Sequence, residues 1–122
     1  MKFIRERKTK ITRGSPVRSI DIWERVDDIP GSYDEDYKDI NFGRQIKGRM
    51  AIDYPVENYV EFEIEFRTLH ELVDEIREAY QFVYKDADKG NPFGVWGHDI
   101  GDLRIEGIEI YPGNVIDLSI GS

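Results

Sequence analysis

The chain has 122 residues, of which 39% are hydrophobic and 34% charged, a balance that reads as soluble and globular rather than disordered. It has no cysteine, which excludes disulfides, thiolate catalysis and cysteine-ligated zinc or iron–sulfur sites. No run approaches the roughly 18 apolar residues of a membrane span, and Met1–Arg7 has no apolar stretch behind its charges. Neither a membrane segment nor a signal peptide is read, so a cytoplasmic domain spanning 1–122 is expected.

The net charge of -8 is unevenly spread. Residues 1–18 carry seven bases (Lys2, Arg5, Arg7, Lys8, Lys10, Arg13 and Arg18) against Glu6, a net of +6. The remainder carries ten bases and 24 acids, a net of -14. A basic N-terminal arm, 1–16, is expected to lie against the acidic body as a strand or tether. The acidic body would repel a phosphate backbone, so nucleic acid is a poor partner and a cationic protein a better one.

Residues 2–11 read as a short strand. Gly14-Ser15-Pro16 breaks the chain. Val17, Ile20, Ile22 and Val26 suggest a strand over 17–26, with Trp23 free to face either way. Residues 27–45 are the least regular part. Their acids Asp27, Asp28, Asp34, Glu35, Asp36 and Asp39 surround Tyr33, Tyr37, Ile40 and Phe42, which should pin the loop to the body. A strand over 46–54 would end at Pro55. In Tyr59–Phe66 the alternation is strict: Val60, Phe62, Ile64 and Phe66 share one face, and Glu61, Glu63 and Glu65 the other. Those carboxylates would stand about 7 Å apart and repel unless basic groups cross them.

A long helix over about 68–89 should follow. Thr68 and Glu71 form a capping box, and Leu69, Leu72, Val73, Ile76, Ala79, Tyr80, Val83 and Tyr84 make one apolar stripe. Gly90 and Pro92 would end it. In the strand 103–111 the apolar parity switches at Gly107, which predicts a bulge there. Pro112-Gly113-Asn114 turns the chain into a last strand with Ile116, Leu118 and Ile120 inward. The economical packing is an α+β fold: a single mainly antiparallel sheet, a long helix on one face, and a C-terminal β-hairpin.

Two segments stand out as candidate sites. The loop from Asn91 to Asp102 gathers Trp96, His98, Asp99 and Asp102 among glycines, and such loops often carry binding or catalysis. Its plainer interpretation makes Trp96 a plug at the core edge and Asp99 or Asp102 a turn cap. The other segment is the Asp27–Asp39 loop, where Tyr33, Asp34, Asp36 and Tyr37 combine acids with aromatic anchors.

No phosphate-binding loop, nucleophile elbow or His-Glu-x-x-His motif occurs. Asp86–Gly97 fails as a calcium loop, because its glycine is one position early and no glutamate closes it. No cofactor or metal is implied. The leading expectation is a non-enzymatic protein-binding domain, an acidic inhibitor or immunity-like protein that neutralises a basic partner. This composition is shared by small acidic proteins that neutralise basic nucleases or toxins. In that case no concave site is expected at His98. The alternative is a small hydrolase or metal-binding enzyme centred on His98, Asp99 and Asp102. A third reading is a structural module, a homodimer whose basic arm closes a sheet edge of the second copy.

Overall fold

The computed structural model describes residues 1–12, 14–34 and 37–122. Strands β1 (Lys2–Arg7), β2 (Arg18–Arg25), β3 (Asn41–Ile52) and β4 (Tyr59–Thr68) precede the helix α1 (Leu69–Tyr84). Strands β5 (Arg104–Tyr111) and β6 (Val115–Gly121) form the closing hairpin. All six strands make one sheet in the order β1-β4-β3-β6-β5-β2. The fold is α+β, and the sheet is mixed rather than purely antiparallel. Two antiparallel triplets meet at one short parallel junction, where Arg49 and Met50 of β3 face Val115 and Ile116 of β6.

The alternation in β4 acts as read. Val60, Phe62, Ile64 and Phe66 are buried under α1 with Leu69, Leu72, Val73, Ile76, Ala79, Tyr80 and Val83. The basic N-terminus is a strand in this sheet: Phe3 pairs with Phe62, and Arg5 with Glu61. The carboxylate row on the outer face is crossed by basic groups. Arg5, Arg7 and Arg49 each reach Glu61, at 3.5, 3.3 and 3.5 Å, and Lys47 lies 3.8 Å from Glu63.

Glu71 N donates to the Thr68 hydroxyl and Thr68 N to the Glu71 carboxylate, so the expected capping box forms. The helix, however, stops at Tyr84, short of the expected 89. Ala87 N donates to Tyr84 O, and Lys89 N and Asn91 N both donate to Asp86 O. Tight turns thus take over the last carbonyls. Apart from Ala87, the stretch 85–89 is charged and exposed or nearly so, and offers no apolar face to bury.

The hairpin register slips between Ile105 and Gly107, which keeps Ile105, Ile108 and Ile110 on the buried face. This is the expected bulge. β3 starts earlier than expected, at Asn41, with a register break before Ile46.

Gly48 sits at the parallel junction. A Cβ there would lie 2.5 Å from the Asn114 carbonyl oxygen, which itself accepts from Arg49 N at 3.0 Å. The atom struck is a hydrogen-bonded backbone oxygen, so the clash is not relieved by a side-chain shift. Gly48→Ala is expected to cost about 1–3 kcal/mol in urea unfolding. An unchanged midpoint would show that the junction tolerates separation.

Candidate functional site

The segment after α1 is held at several points. The Asn91 side chain donates to Val95 O at 2.9 Å and accepts from Val95 N at 2.8 Å. Trp96 N donates to Pro55 O, and Glu57 N to Phe93 O. Gly94 has φ +67°, and a Cβ on it would strike the Glu57 side chain at 2.6 Å, so glycine is required there. Trp96 is therefore presented from a fixed backbone. It does not plug the core: the side chain is 54% exposed, with its ring edge-on to Tyr54 at 5.6 Å.

Trp96, His98, Asp99 and Asp102 line one open cleft of about 400 Å³ with Tyr84, Ala87, Asp88, Val95 and Gly97. The expectation that no concave site surrounds His98 fails. Asp102 caps the short 3-10 turn Ile100–Asp102: Asp99 N donates to its carboxylate at 3.3 Å, and Asp102 N to Asp99 O at 3.0 Å.

The His98 ring lies near Tyr54 and Trp96, at 5.5 and 6.1 Å between centroids. Its carbonyl accepts from the Tyr84 hydroxyl at 3.0 Å. Among the described residues His98 forms no ion pair with Asp99 or Asp102, and no group of three His, Asp or Glu side chains is placed to hold a metal ion.

The cleft is electronegative. Burial pushes the Tyr84 hydroxyl up to about 12, and the fields of Asp99, Tyr54 and Asp102 add to the shift. Asp88, Asp99 and Asp102 form no salt bridge among the described residues. A wall of two aromatic rings with three carboxylates fits a cation better than a neutral or anionic group.

The second predicted segment is arranged differently. Tyr33 stacks on His70 with centroids 3.8 Å apart, and its hydroxyl donates to Asp74 at 2.6 Å. Burial, with that hydrogen bond, raises the Tyr33 hydroxyl to about 12. Tyr37 is half-buried, and Ile40 and Phe42 also pack on the core. Its rings are thus turned inward, as pins for the loop. Asp34 N donates to the Glu24 carboxylate. Asp36 lies outside the described residues. Tyr33 contacts the first half of α1 and the Trp96 cleft its last turn, about 15–20 Å apart along the axis at the helical rise. The two segments do not form one site.

Beneath the loop lies a pair that sequence reasoning passed over. Arg77 of α1 is fully buried, and its Nη2 donates to Glu24 of β2 at 2.8 Å. Its Nε donates to Arg25 O at 3.0 Å and its Nη1 to Ser32 O at 2.5 Å. Both residues had a signal. Glu24 shares the parity of Ile20, Ile22 and Val26, and Arg77 stands four residues after Val73 and three before Tyr80.

Comparison with protein-family models, curated proteins and solved structures gives no match. No helix among the described residues is long and apolar enough to cross a membrane.

Proposed function

We propose that the chain is a non-enzymatic protein-binding domain that engages a basic partner, in the manner of an acidic inhibitor or immunity protein. Its contact centre in this reading is the Trp96 cleft, which receives a Lys or Arg side chain of that partner. One observation carries the reading: Tyr84, Trp96, Asp88, Asp99 and Asp102 line a single open cleft whose carboxylates have no cationic partner among the described residues. A guanidinium or ammonium entering there meets aromatic faces and uncompensated negative charge together. The acidic body speeds the encounter by steering. Trp96 is the natural anchor, since exposed tryptophans on rigid scaffolds dominate binding energies.

The test is affinity capture from native lysate with wild-type and Trp96→Ala baits, followed by titration of the purified captured protein. The expected result is a basic protein retained by wild type alone, with affinity lowered roughly 30-fold or more by Trp96→Ala. Its affinity should fall with added salt. Equal affinity of both baits, or no basic protein enriched by folded wild type, would remove this reading.

A further inference from the structure

A second concave surface has the opposite charge. It lies on the sheet face away from α1, where the end of β1, the middle of β3 and the β5–β6 turn meet. The cleft is about 460 Å³ and is lined by Arg7, Lys10, Ile11, Arg49, Tyr111, Pro112 and Val115. Three of these are cationic and none is a carboxylate, in a chain of net charge -8.

Glu61 organises the cations. It is fully buried on β4 and reaches Arg5, Arg7 and Arg49, while Glu63, opposite Arg49 in the register, is the next carboxylate on that face. With Lys10, four cations face Glu61, a local positive excess that Glu63, already paired with Lys47, offsets only in part. Asp53 lies within electrostatic reach of Lys10, outside the lining, and reduces the excess. Gathering arginines around one carboxylate costs Coulomb energy that a bound anion would recover.

The donor inventory points the same way. A guanidinium has five N–H donors. Arg77, the structural arginine of the core, engages all three of its nitrogens. Arg7 and Arg49 each engage only Nη1, on Glu61, among the described residues. Their remaining donors are available, while the shared carboxylate restrains the side chains. Lys10 forms no salt bridge among the described residues. Ile11, Tyr111, Pro112 and Val115 add an apolar wall beside these cations.

We propose that this cleft is a binding site for a small organic monophosphate, with the phosphate held by Arg7, Arg49 and Lys10 and the organic body against Tyr111, Pro112 and Val115. A phosphate dianion suits the site better than a carboxylate, because it brings more charge and three acceptor oxygens to two guanidiniums. The site is independent of the Trp96 cleft and survives whatever becomes of the protein-binding proposal.

The experiment is titration of the full chain with phenyl phosphate, inorganic phosphate and benzoate at low ionic strength, followed by amide and guanidinium NMR. Phenyl phosphate should saturate shifts at Arg7, Arg49 and Tyr111, and bind roughly tenfold more tightly than benzoate. Arg49→Gln should weaken it by roughly tenfold. Lys10→Gln, at an exposed residue without a salt bridge, should weaken it less and leaves the test usable if Arg49→Gln does not fold. Inorganic phosphate binding as tightly as phenyl phosphate would overturn the apolar half of the site. Benzoate binding equally well would overturn the phosphate assignment. Shifts that do not saturate, or that persist unchanged in both variants, would overturn the site itself.

Discussion

Arg77→Ala is expected to destabilise the protein by about 3–5 kcal/mol, read as the shift of the urea midpoint. The Arg77 side chain is fully buried and Glu24 nearly so. Alanine leaves the Glu24 carboxylate under the 26–40 loop without its cation. It also strands Arg25 O and Ser32 O, which now accept from Arg77. The largest loss is at Glu24, which keeps the hydrogen bond from Asp34 N but no cation to balance its buried charge; the two part-buried carbonyls add less. Arg77→Lys should rescue little, because one ammonium cannot reproduce three divergent bonds. The informative comparison is the double replacement Glu24→Leu/Arg77→Met. Removing both charges should cost less than Arg77→Ala alone, since no unpaired ion remains. A loss below about 1 kcal/mol for Arg77→Ala, the scale of an exposed pair, would mean that the loop reorganises and exposes Glu24 to water.

Phe62→Ala is expected to cost a similar amount, about 3–5 kcal/mol. Phe62 is fully buried at the centre of β4. Its ring meets Phe3 of β1 at 6.0 Å and Phe82 of α1 at 5.8 Å, and Phe3 in turn stacks on Phe82 at 5.3 Å. The three rings are the main apolar tie between the edge strand β1 and the helix. Deleting the central one opens a cavity bounded by rigid strands, which cannot collapse fully. The consequence should be local as well as global: β1 amides should exchange faster than those of β5 and β6 in the same variant. Uniform acceleration across the sheet would show that β1 unfolds only with the whole molecule.

That edge strand has consequences for both clefts. Phe3 also meets Phe93 at 5.6 Å, so β1 helps to seat the loop that carries Trp96. On the opposite sheet face the same strand delivers Arg7 to the basic cleft. The charge division noted in the sequence is therefore partly converted into structure. Arg5 and Arg7 compensate Glu61, while the acids of the Trp96 cleft lie elsewhere and keep their charge. A protein acidic in total thus presents an electronegative concavity at Trp96 and an electropositive one at Arg49.

Much of this architecture was legible from neighbouring residues. The alternation of Val60, Phe62, Ile64 and Phe66, the Thr68–Glu71 box and the parity switch at Gly107 each describe backbone within a few residues. Local steric and hydrogen-bonding preferences suffice for them. The helix ends at Tyr84, short of Gly90 and Pro92, because those residues mark where a helix must have ended, not where its burial stops. For Trp96 the sequence leaves two readings open, a plug at the core edge or a binding anchor, and the structure excludes the plug. The contacts that hold the loop, to Pro55 and Glu57, come from a distant segment and turn the ring outward.

The sequence by itself determined the inner faces of β4, α1 and the closing hairpin and the uneven charge, because periodicity and composition are properties of the chain. Only the tertiary structure decided that β1 lies beside β4, that β3 and β6 run parallel, and that Glu24 meets Arg77 across the core. It also decided that Arg7, Lys10 and Arg49 share a cleft with Tyr111. These are long-range choices. They depend on which faces and charges compensate one another once the whole chain is packed, and no local repeat encodes that sum.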